Sequence, residues 1–231
     1  MSREDEIRTA LQTVRNDVAV AARAAGRDPA SVTLVAVSKT RPPEDIRAAL
    51  AVEQRDFGEN YAQELRDKAD TLPPACTWHF IGSLQRNKVK YVVGRATLVH
   101  DVDSLALAEE LSKRSGDRPT GVLLGVNIGE EPQKSGVMPD AALELAARVA
   151  ELPGVRLRGL MCIPPAEGEP GPHFARLAAL AAEGRARGLP LHELSMGMSH
   201  DYAEAIRHGA TLVRVGTAIF GARAPKAPQL P

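Results

Sequence analysis

The sequence predicts an α/β protein folded as a single (β/α)8 TIM barrel, and three observations predict it. Short β-rich runs alternate eight times with helical stretches across short connections. The 231 residues suffice for one such barrel. The residues whose chemistry is out of place in a core fall at the carboxyl ends of the strand runs, where barrels gather their chemistry. An open doubly wound sheet shares the alternation and is the structural alternative; eight units in one chain suit a closed barrel better.

Ahead of the first strand, residues 2–26 read as an extra amphipathic helix. Ser2 and Asp5 make a capping box. Ile7, Leu11, Val14, Val18 and Ala22 fall on one stripe, and Gly26 is a natural stop. The strand runs are 32–37, 56–58, 77–81, 97–101, 121–128, 155–163, 192–195 and 212–215. The helices between them are 43–52, 61–69, 85–91, 104–114, 139–151, 174–187 and 199–208. The segment 164–172 (PPAEGEPGP) is the richest in proline and glycine and reads as a surface loop or a lid. Residues 224–231 have no periodicity and read as a disordered tail. No linker divides the chain, so the expectation is one domain over residues 1–231.

Composition narrows the partners. Twenty-nine basic residues balance 29 acidic ones, so no net field recruits nucleic acid or an anionic membrane. No apolar stretch is long enough to span a bilayer, and the opening MSREDEIRTAL is charged and helical, unlike a signal peptide. The cysteines, Cys76 and Cys162, lack metal-type spacing. The expectation is a cytoplasmic protein with reduced thiols.

The last strand run, in TLVRVGTAIFGAR, carries the first functional signal. Alternation puts Leu212 and Arg214 on one face and Val213 and Val215 on the other, so Arg214 points into the barrel. A guanidinium there needs an acceptor, because an unpaired buried charge costs several kcal/mol. Gly216 and Thr217 then open a short helical turn, where backbone N–H groups favour an anion. SMGMS, after the seventh strand, adds Gly197 for backbone access and Ser199 as hydroxyl donor and helix N-cap. Barrels often bind phosphate after strands seven and eight. Two ordinary turns, with Arg214 paired to a structural carboxylate, fit the same residues.

Lys39 ends the first strand, just before the Pro42-Pro43 helix start. Desolvation and a helix N-terminus both favour its free amine. A free amine beside a phosphate site is equipment for a Schiff base with a phosphorylated aldehyde. The alternative is a surface lysine snorkelling from a strand end.

Other candidates read both ways. His79 is a general base or a hydrogen-bonded histidine under the rim. His100, Asp101 and Asp103 suggest a metal at a glance, but neighbouring strand residues face opposite ways and Asp103 or Ser104 caps a helix; no metal site is expected. Arg86, Lys88 and Lys90 read as a solvated helix face. Lys134, in EEPQKSGV on the functional rim, is either an exposed loop lysine or a secondary amine that accepts or guides the phosphorylated aldehyde.

The segments VAVSKT, FGENYAQE, WHFIGSLQRNK, KSGV, LRGLMCI, LSMGMSHDY and VRVGTAIFGAR closely resemble the pyridoxal phosphate homeostasis proteins, small relatives of the alanine racemase barrel. The resemblance spans residues 32–223, with the motifs in the family's order and spacing. It implies a barrel of the alanine racemase N-terminal type that binds pyridoxal 5′-phosphate (PLP). By the matched motifs, Lys39 forms the Schiff base and Asn60 lies beside the cofactor. Ser199, Gly216 and Thr217 hold the phosphate, and Arg214 faces the pyridine nitrogen. Met161, Ser195 and Met198 line the pocket. No catalytic residue is assigned.

Arg214 bears on function. Arginine is a permanent cation and donor, so it favours an unprotonated ring nitrogen and a weaker electron sink. The related racemases draw an acid/base group from a second, all-β domain; the expectation is that this chain has no segment for it, and Tyr61, Tyr91 and Tyr202 all fall on helix-like stretches. The expectation is a monomeric, non-catalytic PLP carrier in vitamin B6 and amino-acid balance, with PLP and client apo-enzymes as partners. A weak PLP-dependent amino-acid racemase is the alternative. A Schiff-base aldolase using Lys39 without PLP is a third reading.

Overall fold

Eight parallel strands close on themselves in chain order: β1 (Thr33–Val37), β2 (Asp56–Glu59), β3 (Thr77–Phe80), β4 (Ala96–Val102), β5 (Thr120–Gly125), β6 (Val155–Met161), β7 (Glu193–Ser195) and β8 (Leu212–Val215). The computed structural model describes residues 2–222; the expected tail 224–231 lies outside the described residues. The ring shuts where β1 pairs with β8, Leu34 opposite Val213 and Val35 opposite Arg214. The open-sheet alternative is thereby excluded.

Nine helices among the described residues surround the barrel: α1 (Arg3–Ala24), α2 (Pro43–Ala51), α3 (Ala62–Thr71), α4 (Val89–Val92), α5 (Leu105–Ser115), α6 (Ala142–Ala150), α7 (Gly171–Ala186), α8 (Tyr202–Arg207) and α9 (Thr217–Phe220). The first is the extra helix. Its capping box forms, the Asp5 N–H donating to Ser2 Oγ and the Ser2 N–H to the Asp5 carboxylate. Its apolar stripe of Ile7, Leu11, Val14, Val18 and Ala22 is buried against α2, α8 and α9. Arg3 fastens that end, donating to Asp45 at 2.7 Å and to the Phe220 carbonyl at 2.8 Å.

Strand alternation divides the core in two. Val35, Leu98, Leu123, Met161 and Leu212 meet inside the barrel. Their strand neighbours, among them Ala36, Val99, Val122, Leu124 and Val213, face the helices in a larger cluster. The interior is not wholly apolar: His79, His100, Ser195 and Arg214 are all buried.

Several expected boundaries shift. The apolar runs 121–128 and 155–163 end as strands at Gly125 and Met161. Beyond Gly125 the backbone turns to a new partner, Asn127 and Val137 bonding across an isolated bridge. The helix expected from residue 174 starts at Gly171, because Pro172 fits the first turn of a helix. That shortens the proline-rich loop. The helix expected from Ser199 starts at Tyr202, so Ser199 is not its N-cap. The Met198 N–H donates to Asp201 Oδ1 at 2.6 Å, and Asp201 and Tyr202 donate back to the Met198 carbonyl, making a turn before the helix. A 3₁₀ turn over Pro29–Ser31 was not expected, and another, Arg86–Lys88, replaces the start of the 85–91 helix. Among the described residues no helix is long and apolar enough to cross a membrane.

Candidate functional site

Lys39 sits on a tight turn past the end of β1. The Arg41 N–H donates to the Ser38 carbonyl at 3.0 Å and closes it. Thr40, beside Lys39, has φ +64°, a conformation that a β-branched residue adopts only when its surroundings hold it. Glu64 of α3 does so, accepting the Thr40 N–H at 2.6 Å. One helical turn on, Lys68 donates to the Ser38 carbonyl at 2.7 Å. It also meets Glu59 Oε1 at 2.8 Å and Glu64 Oε1 at 2.7 Å. The Ser38 hydroxyl completes the group by donating to Glu59 Oε1 at 2.6 Å. Helix α3 thus grips the residue on each side of Lys39. Burial pushes the Glu59 carboxyl up to about 7, against the pull of Lys68 and Ser38.

Asn60 follows Glu59 at the end of β2. Gly82, past β3, is the residue that lets it sit there: a Cβ on Gly82 would lie 2.4 Å from the Asn60 carbonyl oxygen. On the far side of the rim, Gly197 has φ +93°, and its missing side chain admits Ala205 of α8.

These pieces enclose a cavity of about 230 Å³ at the carboxyl ends of the strands. Lys39, Asn60, Met198, Ser199, Arg214, Gly216 and Thr217 all line it, as do Val37, Ile81, Ile163 and His200. Its polar wall bears cations and hydrogen-bonding groups and, among the described residues, no carboxylate. Larger hollows lie on the helical exterior, as between α6 and α7, away from this convergence.

Two expected pocket residues stand elsewhere. Ser195 is fully buried beneath Arg214, which donates to its hydroxyl at 2.5 Å and to the Cys162 carbonyl at 3.0 Å. Met161 lines a neighbouring cavity of about 320 Å³ with Asp101, Asn127, Lys134, Ser135 and Ile163. Ile163 is shared by both cavities. Lys134 belongs to the second one, where it pairs with Glu131 at 2.5 Å and donates to the Pro164 carbonyl at 3.0 Å. Asp101 enters it through a register shift in β4 between Val99 and Val102. Burial, with Asp103 adding, pushes its carboxyl up to about 6.

His79 bonds to His100 and Asp56 beneath the rim. No group of three or more His, Cys, Asp or Glu side chains suited to a metal occurs among the described residues. Cys76 and Cys162 are buried thiols, and burial pushes Cys162 up to about 12. Lys88, Lys90 and Arg66 gather around the Tyr91 ring at 5.8, 5.1 and 4.9 Å.

Known proteins share this architecture and these sequences. A model of the alanine racemase N-terminal domain matches residues 10–224. The pyridoxal phosphate homeostasis protein of Pseudomonas aeruginosa is 47% identical over 211 residues, 90% of this chain and 92% of its own. That of Escherichia coli is 45% identical over 222 residues, 92% of this chain and 95% of its own. The structure of PipY from Synechococcus elongatus with PLP bound superposes with a TM-score of 0.82 at 38% identity, over 93% of this chain and 100% of PipY. This chain belongs to the pyridoxal phosphate homeostasis proteins, within the family built on the alanine racemase N-terminal domain.

Proposed function

We propose that this protein binds PLP in the cavity at the barrel mouth and serves PLP homeostasis by holding and releasing it. The observation that carries the reading is convergence. Lys39, Asn60, Ser199, Arg214, Gly216 and Thr217 leave four different strands and line one cavity. The cavity fits the group on its own chemistry. Val37, Ile81, Ile163 and Met198 offer apolar surface to a ring, and Lys39, His200 and Arg214 offer cations or donors to its charged ends. Asn60 Oδ1 is buried there with no hydrogen-bond partner among the described residues, an acceptor awaiting a donor.

In this reading Lys39 holds the cofactor's aldehyde as a Schiff base. The bound group supplies an electron sink whose strength the protein sets. Ser199, Gly216 and Thr217 hold the phosphate, the opening N–H groups of α9 having no partners within the helix. Arg214 presents donors to the ring edge and so favours an unprotonated nitrogen. Carbanion chemistry is thereby weakened. Storage and delivery to apo-enzymes, by a cytoplasmic monomer, follow better than turnover.

Borohydride reduction of the PLP-treated protein, followed by peptide mass spectrometry, tests the attachment. The label is expected on Lys39; a label confined to other lysines contradicts it. Incubation with single L-amino acids in deuterium oxide tests turnover. Slow α-proton exchange is expected, and fast exchange that depends on Lys39 supports the racemase alternative.

A further inference from the structure

Behind Arg214 a file of polar side chains crosses the barrel interior. Arg214 Nη1 donates to Ser195 Oγ at 2.5 Å. Ser195 Oγ lies 2.8 Å from His100 Nδ1, His100 Nε2 lies 2.9 Å from His79 Nδ1, and His79 Nε2 lies 2.9 Å from Asp56 Oδ1. Five residues from five strands are thus joined end to end. Arg214 lines the Lys39 cavity, while Asp56 opens β2 at the opposite end of the barrel and is partly exposed.

The proton count gives the file a direction. Arginine only donates, so Ser195 Oγ accepts from it and has one proton to give. Given to His100 Nδ1, that proton leaves His100 neutral with its own proton on Nε2. This proton goes to His79 Nδ1, and the His79 Nε2 proton goes to the Asp56 carboxylate. Every group is satisfied, and neither histidine is charged. With Asp56 as an ionised acceptor, the reverse order needs an imidazolium at His79 and the Nδ1–H form of His100. It leaves the Ser195 proton without an acceptor. Burial, the largest cause, holds His100 well below the ordinary histidine range, so its ring is neutral in either order.

The interior need not be polar. Val35, Leu98, Leu123, Met161 and Leu212 fill the rest of it with apolar groups. Four buried polar residues in such surroundings are costly unless each finds a partner. The file solves one problem for the cavity. It secures a buried guanidinium without a carboxylate in the cavity wall, where an acid would repel an anionic ligand. No carboxylate forms an ion pair with Arg214 among the described residues. Its near anchors are Ser195 and the Cys162 carbonyl, which use two of its five N–H donors.

We infer that Ser195, His100 and His79 are positioning residues that form a one-way hydrogen-bond chain from Arg214 to Asp56, fixing the guanidinium so that its remaining donors face an acceptor on the ligand. The identity of that ligand rests on the PLP reading above; the chain itself does not.

Nuclear magnetic resonance of the ligand-free, nitrogen-15-labelled protein at neutral pH tests the chain directly. Long-range proton–nitrogen correlations should find His79 and His100 both neutral and protonated on Nε2. Substitution of either histidine by Gln assigns the signals. An imidazolium at His79 or an Nδ1–H form of His100 overturns the inference. The Arg214 guanidinium should show restricted rotation in the wild type and faster averaging in Ser195→Ala. Equal mobility in the two proteins overturns the positioning role.

PLP titration adds a second readout. Ser195→Ala should weaken PLP binding about tenfold, since it removes a hydrogen bond to a charged group. Ser195→Thr, which keeps the hydroxyl, should recover most of the loss. Unchanged affinity in Ser195→Ala overturns the role toward the ligand. A wild type that binds no PLP defeats the PLP reading alone and leaves the histidine and guanidinium measurements to decide the chain. Should Ser195→Ala fail to fold, the wild-type histidine forms still decide.

Discussion

Lys68 reaches from α3 to donate to the main-chain carbonyl of Ser38 at 2.7 Å, one residue before Lys39. The same ammonium contacts Glu59, one residue before Asn60, at 2.8 Å. A single buried lysine therefore ties together the ends of β1 and β2, the two strands that deliver Lys39 and Asn60 to the cavity. The placement of those residues is a property of α3 as much as of the strands that carry them.

Removing that cation tests the tie. Lys68→Met should destabilise the fold by about 3–5 kcal/mol, because it leaves Glu59 buried without its partner. Adding Glu59→Gln to it should recover part of the loss. Urea unfolding of the two variants and the wild type measures both effects. A loss under about 1 kcal/mol in Lys68→Met would place the pair among ordinary surface bridges.

Asp101 should make stability fall as pH rises. Its carboxyl titrates near 6 in the folded chain, above its ordinary 3.8, because of burial first and Asp103 second. The folded state then binds more protons than the unfolded state between about pH 4 and pH 6. Its contribution to stability is intact below that window and lost as pH climbs through it. The full loss is about 3 kcal/mol. Asp101→Asn should remove this dependence, so the variant gains on the wild type from pH 4 to 6 and holds that gain at pH 7. Urea midpoints at the three values measure it; a constant difference between the proteins contradicts it.

Gly82→Ala probes the approach of β3 to Asn60. The new Cβ would stand 2.4 Å from the Asn60 carbonyl oxygen and 2.9 Å from its Cα, so backbone must move. A loss of about 1–3 kcal/mol in stability is expected, as for other overpacked sites. Weaker PLP binding should accompany it, because the displaced segment carries Asn60. Thermal unfolding and a PLP titration read the two effects. Wild-type values in both would contradict the role given to Gly82.

Much of this was legible in the sequence, for identifiable reasons. Strand alternation placed Arg214 inside, since Val213 and Val215 had to face the helices. The rim positions of Lys39, Asn60 and Ser199 followed from counting strand ends. The rest depends on tertiary geometry. Glu64 and Lys68 look like an ordinary i,i+4 pair on a helix surface, and nothing local announces that Glu59 and the Ser38 carbonyl lie against them. His79 and His100 sit 21 residues apart, and their contact depends on strand register. Val37, Ile81 and Ile163 carry no chemical signal that marks them as cavity wall. Ser199 reads as a cap because serine prefers caps; Asp201, two residues on, takes that place.

PLP attachment at Lys39 is the central claim. The most direct measurement is the visible absorption spectrum of the purified protein after incubation with PLP and removal of the excess, beside the same spectrum of Lys39→Ala. The wild type should retain a visible band of protein-bound cofactor, and the variant should lose it while keeping its far-ultraviolet circular dichroism. A folded Lys39→Ala protein with an undiminished visible band, or a wild type that retains none, would contradict it.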